Sequence, residues 1–124
     1  MRQKIAFIGS GHIAEILINR FIESGAAEGS SIVVSEPDVS RTAELELKYG
    51  ISAAKDNADA ANSCDIIFIC VRPHIVPSVI NDLKSVNMGK KILISVAAGI
   101  PLSFYENSIE NIKAVRILPN PPSR

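Results

Sequence analysis

The stretch IAFIGSGHIA, residues 5–14, is a short apolar run that leads directly into the pattern G-x-G-x-x-A. Gly9 can take the tight turn after a strand, Gly11 lets a pyrophosphate approach the backbone, and Ala14 lets a helix pack closely on the sheet. The pattern alone is weak, but here it follows a predicted strand, opens an amphipathic helix and precedes Glu36 at the end of the next strand. The stretch therefore predicts a dinucleotide site with its phosphates at a helix N-terminus.

The composition is typical of one globular domain. Of the 124 residues, 47% are hydrophobic and 21% charged, and 13 basic side chains balance 13 acidic ones. The balanced charge does not indicate binding to nucleic acid or to an anionic membrane. The longest apolar run, residues 66–71, is too short to span a bilayer. We expect a cytoplasmic protein in which Cys64 and Cys70 are buried small side chains rather than redox or metal-binding groups.

Strand and helix patterns alternate along the chain. Runs rich in Ile and Val predict five strands, each too uniformly apolar to have a solvated face, at residues 5–8, 32–35, 65–71, 91–96 and 114–118. A thin third crossover, with a short strand in residues 51–53 and one or two helical turns in residues 56–62, is expected to be loop-like. The predicted fold class is α/β, a Rossmann-type, doubly wound, mainly parallel sheet with helices on both faces.

Helical spacing predicts which side chains of two intervening helices face the sheet. One face carries Ile13, Leu17, Phe21 and Ser24, and another carries Ile75, Val79 and Leu83.

Four sequence blocks together resemble one known family. FIGSGHIAE, FICVRPHIVP, ISVAAGI and VRILPNPP are similar, in the same order, to the signature blocks of the N-terminal domain of pyrroline-5-carboxylate reductase, the last enzyme of proline biosynthesis. The resemblance spans nearly the whole chain and implies an NAD(P)-binding domain over residues 1–118. It also implies that residues 119–124 begin a linker to a C-terminal helical domain that this chain lacks.

The resemblance further implies the reaction and the partners. Hydride would pass from the nicotinamide to the imine carbon of 1-pyrroline-5-carboxylate, giving L-proline, so the partner is a small-molecule imine rather than nucleic acid or a membrane. In the family, the helical domain makes a homodimer or higher oligomer and supplies much of the substrate site. We therefore expect this chain alone to bind cofactor without useful turnover.

The candidate cofactor-binding residues follow the predicted strands, at the edge where open α/β sheets bind ligands, or match positions of the family. They are Ile8, Gly9, Ser10, Gly11, His12, Ile13, Ser35, Glu36, Arg41, Asn57, Val71, Arg72, Pro73, Ala97, Ala98, Gly99 and Asn120. No residue is assigned as catalytic, and neither a metal-ligand spacing nor a Ser/His/Asp order is visible.

Several candidates also have a purely structural interpretation. Arg72, where the family usually has Lys, could flank the nicotinamide ribose or be a solvated cation, and Pro73 could simply start a helix. The stretch of residues 97–99 could admit a flat ring or form a tight turn. Asn120 could donate to the carboxamide or be a turn residue, and Pro121 replaces the Thr usual in the family.

Three further polar residues remain open in the same way. His12 could donate to a phosphate or ribose oxygen or merely fill the surface. Asn57 could face the adenosine or cap a helix. His74 is a poor proton donor, because no acidic residue close in sequence orients it.

The choice between NADP and NAD depends on Ser35, Glu36 and Arg41. An acidic residue at the end of the second strand pairs with the ribose hydroxyls of NAD and repels the extra phosphate of NADP. Ser35 and Arg41 could instead bind the 2′-phosphate if Glu36 turned away, and the family commonly uses NADPH. Glu36 and Arg41 could also be no more than part of a capped helix with a surface Arg.

Two other functions fit the same residues. One is a non-catalytic regulatory relative that binds the nucleotide without turning it over. The other is a reductase of a different imine or of a 2-hydroxy acid.

Overall fold

A six-stranded sheet forms the centre of the computed structural model, which describes residues 3–117. Its strands are β1 (Ile5–Ile8), β2 (Ile32–Ser35), β3 (Ser52–Ala53), β4 (Ile66–Ile69), β5 (Ile92–Ser95) and β6 (Lys113–Arg116). They lie in the order β3-β2-β1-β4-β5-β6, and every neighbouring pair is parallel. The order of crossovers reverses between β1 and β4, which is where sheets of this kind bind ligands. The predicted fold class is confirmed.

Helices connect the strands on both faces of the sheet. They are α1 (His12–Glu23), α2 (Val39–Tyr49), α3 (Asn57–Asn62), α4 (Val76–Leu83) and α5 (Leu102–Ser108), with 3₁₀ turns at Gly29–Ser31 and Pro73–Ile75. Asp38 caps the start of α2 by accepting the backbone N–H groups of Ser40 and Arg41, and the helix ends at Gly50, whose φ is +73°. Polar caps and a left-handed glycine thus define this helix at both ends.

Two apolar clusters cover the two faces of the sheet. The cluster beneath α1 and α2 is centred on Phe7 and Phe68, whose stacked rings have centroids 4.8 Å apart, with Phe21 tilted against both. The cluster on the opposite face contains the buried side chains of α3, α4 and α5. Burial of both faces explains why the central strands are continuously apolar.

The thin third crossover is more regular than expected. The strand β3 pairs with β2 in parallel register, and Asp56 caps α3 by accepting the Asp59 N–H at 2.8 Å. The short strand and helix are confirmed, but the expectation of a loop-like region is wrong because strand pairing and a cap hold it in place.

The predicted face of α1 is confirmed for Leu17 and Phe21, which pack against the core, but is wrong for Ile13 and Ser24. Ala14 and Ile18 are fully buried, whereas Ile13 is 37% exposed and Ser24 lies beyond the end of the helix. The helix turns its smallest apolar residue, Ala14, toward the sheet, as the glycine-turn motif requires for close packing. In α4 the buried side chains are Val76, Val79, Ile80 and Leu83, and Ile75 is exposed.

The strand β6 has a solvated face, contrary to expectation. Val115 is 48% exposed and Ile92, on the adjacent strand β5, is 38% exposed. Within the described residues, α1 and α2 cover this face of the sheet over β1, β2 and β4 but leave Ile92 and Val115 exposed. The side chain of Val115 therefore meets solvent although the sequence pattern predicts burial. The proposed linker, residues 119–124, lies outside the described residues.

The two cysteines are free and differ in burial. Cys64 is buried as expected, but Cys70 is only half-buried because it lies at the end of β4. Within residues 3–117, no helix has both the length and the apolar character needed to cross a bilayer.

We predict that Gly29→Ala lowers the free energy of unfolding by about 2–3 kcal/mol, since overpacking a closed site typically costs 1–3. A Cβ at Gly29 would overlap the carbonyl oxygen of Tyr49, so the backbone must shift. At Gly89 a Cβ would lie 3.4 Å from Asn87 Oδ1, an ordinary contact, and Gly89→Ala serves as the control. Chemical denaturation measures both variants, and equal losses would contradict the prediction.

Candidate functional site

A cleft of about 630 Å³ opens at the carboxyl ends of β1, β2, β3 and β4. Most of the side chains and backbone that line it come from the segments that follow these strands. The lining residues are Ile8, Gly9, Ser10, Gly11, Ser35, Glu36, Pro37, Lys55, Asp56, Asn57, Cys70, Val71, Arg72, Ile75 and Asp82.

Gly9 makes the turn out of β1 and has no room for a side chain. Its φ is +92°, and its N–H donates to the Ser35 carbonyl at 3.0 Å. A Cβ there would lie 2.8 Å from Val71 Cγ1 and 2.9 Å from the carbonyl carbon of Cys70. The turn therefore joins β1 to the ends of both neighbouring strands, and only glycine fits it.

Gly11 has the opposite environment. It precedes α1 with an extended backbone, and a Cβ built there would meet nothing within 4 Å. No side chain caps the start of α1, whereas Asp38 and Asp56 cap α2 and α3. Of these three helices, only α1 has first N–H groups that no side chain caps, so they can bind an anion at the cleft.

Glu36 turns toward the glycine-rich loop. Its Oε1 accepts both the Ser10 N–H at 3.2 Å and the Ser10 hydroxyl at 2.6 Å, and its Oε2 accepts the Asp38 N–H at 3.1 Å. A carboxylate has about four acceptor sites, so Glu36 can still accept a ribose hydroxyl while it holds the loop.

Arg41 lies behind the loop rather than in the lining of the cleft. Its Nε donates to the Ser10 carbonyl at 2.8 Å, its Nη2 pairs with Glu15 at 2.9 Å and its Nη1 pairs with Glu44 at 3.0 Å. The helix α2 is capped, but the Arg41 side chain is only 22% exposed and has three partners, so it is more than the surface Arg of a capped helix.

Glu15 is the centre of an ionic network between α1 and α2. Its carboxylate accepts from Lys48 Nζ at 2.9 Å, from the Tyr49 hydroxyl at 2.8 Å and from Arg41. The Lys48 ammonium, then Tyr49 and Arg41, lower the pKa of Glu15 to about 2. The network keeps Glu15 ionised and ties α1 to α2.

Asn57 bridges two elements instead of capping α3. The Ser35 hydroxyl donates to Asn57 Oδ1 at 2.6 Å, and Asn57 Nδ2 donates to Asp82 Oδ2 at 3.0 Å. Asp56 occupies the cap position, so the capping interpretation of Asn57 is wrong. The chain of hydrogen bonds fixes the Asn57 amide at the wall of the cleft.

The segment after β4 begins with Cys70, Val71 and Arg72, which all line the cleft. Arg72 is exposed and precedes the 3₁₀ turn, and Pro73 is the first residue of that turn, as expected for a proline at a helix start. His74 is exposed in the same turn.

The turn after β5 has left-handed backbone at Gly99, whose φ is +78°. The Ala97 N–H donates to the Ser95 hydroxyl at 3.2 Å, and that hydroxyl lies 2.5 Å from the Tyr105 hydroxyl. Burial raises the pKa of Tyr105. This geometry fits the tight-turn interpretation, and contact with a flat ring stays a prediction.

Nine of the predicted site residues lie together in the cleft, and seven lie outside its lining. The nine are Ile8, Gly9, Ser10, Gly11, Ser35, Glu36, Asn57, Val71 and Arg72. The seven are His12, Ile13, Arg41, Pro73, Ala97, Ala98 and Gly99. Asn120 lies outside the described residues.

The sequence interpretation missed six lining residues. They are Pro37, Lys55, Asp56, Cys70, Ile75 and Asp82. The first four lie within three residues of a strand end and could have been found from their position, but Ile75 in the 3₁₀ turn and Asp82 on α4 carry no such signal. Desolvation raises the pKa of the Cys70 thiol to about 12, which disfavours the thiolate form.

The sequence has clear relatives. Residues 4–99 match the protein family described as NADP oxidoreductase, coenzyme F420-dependent. The chain is 36% identical over 119 residues to a pyrroline-5-carboxylate reductase of Methanosarcina acetivorans and 31% identical over 123 residues to that of Vibrio alginolyticus. The alignments cover 95% and 98% of this chain but 44% and 45% of the relatives, so the chain spans less than half the length of the curated relatives it matches.

Solved structures agree with the fold. A pyrroline-5-carboxylate reductase from Coxiella burnetii superposes with a TM-score of 0.91 at 27% identity, covering 98% of this chain and 46% of that one. A Plasmodium falciparum pyrroline carboxylate reductase with NADP bound superposes with a TM-score of 0.82 at 24% identity, covering 95% of this chain and 42% of that one. This likeness supports the fold alone. The resemblance seen in the four sequence blocks is confirmed.

We predict that Gly11→Val weakens NADH binding at least tenfold, since the added side chain projects into the cleft where the phosphates would lie. The free energy of unfolding should change by less than about 1 kcal/mol, because the site is open and only the helix start is affected. Isothermal titration measures the NADH affinity, and chemical denaturation measures the free energy of unfolding. Gly89→Val is the control outside the cleft, and undiminished affinity in a folded Gly11→Val variant would refute the placement.

We predict that in Glu15→Gln the free energy of unfolding falls less steeply as the pH is lowered from 4.5 to 2. The Glu15 pKa is about 2 in the folded chain against 4.5 ordinarily, so its stabilisation is complete above pH 4.5 and is lost as the pH falls toward 2. At pH 7 the variant should be about 1–2 kcal/mol less stable, as for lost charge-assisted hydrogen bonds. Urea unfolding between pH 2 and 7 measures this, with Glu23→Gln on the same helix as control. If the free energy of unfolding of Glu15→Gln depends on pH as steeply as that of the unaltered chain, the prediction is contradicted.

Proposed function

This chain belongs to the family described as NADP oxidoreductase, coenzyme F420-dependent, and we propose that it is the cofactor-binding part of an NAD(P)H-dependent reductase that converts 1-pyrroline-5-carboxylate to L-proline. The observation that carries the proposal is the cleft at the switch point of the sheet, where the only uncapped start among α1, α2 and α3 meets a glycine that leaves open space. A dinucleotide needs both features.

The residues of the cleft fit the parts of the cofactor in order along the sheet edge. The pyrophosphate would lie over residues 9–13, where backbone N–H groups and the helix dipole favour an anion. The adenosine ribose would lie beside Glu36 and Asn57, which line the cleft after β2 and at the start of α3. The nicotinamide end would extend past Arg72 toward the turn after β5.

The cofactor, when bound, supplies the hydride that reduces the imine carbon. The residues of this chain bind the cofactor, fix its orientation and hold the ring where an imine can approach. Reduction also requires one proton at the ring nitrogen. His74 is exposed and no described contact orients it, so we assign no acid within this chain.

Names of the relatives support the substrate. Proteins of Methanosarcina acetivorans and Vibrio alginolyticus that match this chain are named pyrroline-5-carboxylate reductase. Because the chain spans less than half of their length, we assign the rest of the imine site, and assembly into a homodimer or higher oligomer, to a helical domain of the kind the family places after this one. Two free cysteines fit a reducing compartment, and we place the function in the cytoplasm.

The choice between NADP and NAD turns on the charges near the ribose. Glu36, Asp56 and Asp82 bring carboxylates to the cleft, and the cations among its lining residues are Lys55 and Arg72. Glu36 favours the free ribose hydroxyls of NADH, whereas Lys55 could receive a 2′-phosphate, and the Ser35 hydroxyl could do so only by giving up its bond to Asn57. Both cofactors are therefore kept in the proposal.

The test separates binding from turnover. We expect this chain to bind NADH or NADPH saturably at one site per chain, measured by nicotinamide fluorescence or calorimetry. It should reduce the pyrroline at less than about 1% of the rate of the Vibrio alginolyticus relative assayed in parallel, since fixing both reactants can contribute roughly 7–11 kcal/mol and this chain fixes one. Absence of cofactor binding would overturn the proposal. Comparable turnover per site would place the catalytic residues in this chain.

A further inference from the structure

Ser10 is held from both sides between two glycines. Glu36 accepts its N–H and its hydroxyl, and Arg41 Nε donates to its carbonyl at 2.8 Å. The residue is buried, with 2% of its surface exposed. Gly9 and Gly11 on either side permit many backbone conformations, so the orientation of the Ser10 peptide groups depends on these external bonds.

The bond to the Ser10 carbonyl also sets the direction of the next N–H. In a trans peptide the C=O and the following N–H point to opposite sides. Arg41 lies outside the lining of the cleft and Gly11 lies in it. With the carbonyl drawn toward Arg41, the Gly11 N–H points away from Arg41, and no acceptor for it is found among the described residues.

The guanidinium of Arg41 is itself fixed. Glu15 on α1 and Glu44 on α2 pair with its two Nη atoms, and Lys48 and Tyr49 hold Glu15 from the other side. A planar guanidinium bound at three nitrogen atoms has little freedom to turn. Two carboxylates also neutralise its charge, which weakens it as a partner for a phosphate in the cleft.

We propose that Arg41 is a positioning residue that orients the Ser10–Gly11 peptide so that the Gly11 N–H faces the cofactor's pyrophosphate, and that it is not the ligand of a 2′-phosphate. The inference rests on the proposed function. It replaces the expectation that Arg41 discriminates NADP from NAD. Cofactors with and without the 2′-phosphate depend on Arg41 to the same extent.

The test is a crossed set of variants and ligands, measured by titration of the full chain. Arg41→Met should weaken NADH, NADPH and ADP by a similar factor of about ten, because all three contain the pyrophosphate. Adenosine 2′-monophosphate, which has a 2′-phosphate but no pyrophosphate, should bind with unchanged affinity. Glu44→Gln is the matched control, since it removes one carboxylate charge beside Arg41 but leaves the bond from Arg41 Nε to the Ser10 carbonyl, and its affinities should stay as in the unaltered chain.

A spectroscopic readout separates positioning from general loss of structure. On addition of ADP, the Gly11 amide resonance should shift in the unaltered chain and in Glu44→Gln, and should shift much less in Arg41→Met. If Arg41→Met fails to fold, Arg41→Lys replaces it. Lysine keeps the charge but lacks the planar guanidinium that binds three partners, so the Gly11 resonance should again shift much less on addition of ADP.

The outcomes are distinct. A loss confined to NADPH and adenosine 2′-monophosphate would make Arg41 a 2′-phosphate ligand, and unchanged NADH affinity in both Arg41 variants would also overturn the inference. Failure of the unaltered chain to bind any dinucleotide would overturn the proposed function instead.

Discussion

The contact of Gly9 with the ends of β2 and β4 is the constraint on which the rest of the site depends. Its N–H binds the Ser35 carbonyl, and the space of a Cβ is taken by Cys70 and Val71. Strands β1, β2 and β4 have only four residues each, so this one turn fixes how far each strand end protrudes. Because α1 starts three residues later, the same contact determines where its N-terminus meets the cleft. A loop without glycine here would separate the strands that the site needs together.

Helix ends show where stability and function diverge. Asp38 and Asp56 satisfy the first N–H groups of α2 and α3, and each such cap stabilises by about 1 kcal/mol. The start of α1 has no side-chain cap. It is stabilised instead from the flank, by the network around Glu15 that joins α1 to α2. Under the proposed function, the helix start that an anionic ligand would occupy has no side-chain cap, and the bonds that stabilise this helix do not obstruct the ligand.

Much of this could be predicted from the sequence because it depends on local patterns. The apolar runs locate the strands to within one or two residues, and the rule that ligands bind after parallel strands finds Ser35, Val71 and Arg72. The rule does not reach Asp82, which contributes from a helix. It also cannot assign side-chain partners, so the sequence does not predict that Asn57 bonds to Ser35 and Asp82 instead of capping α3.

The remaining differences come from tertiary packing. The face of α1 is set by how closely Ala14 approaches the sheet, which the spacing of large apolar residues does not encode, and the exposure of β6 depends on what covers it.

Arg41 shows most clearly why charge in a sequence does not specify a role. A cation shortly after the second strand suggests a ligand for phosphate. In this chain, however, Glu15 and Glu44 neutralise the charge of Arg41, and its Nε donates to the Ser10 carbonyl. Under the proposed function, the pyrophosphate would then be bound chiefly by neutral N–H groups of the loop and of α1, whose direction is fixed before the ligand arrives. Donors that need no reorientation lose little entropy on binding. A geometric role of this kind explains why the guanidinium lies behind the loop, where it touches the backbone that binds and leaves the cleft itself open.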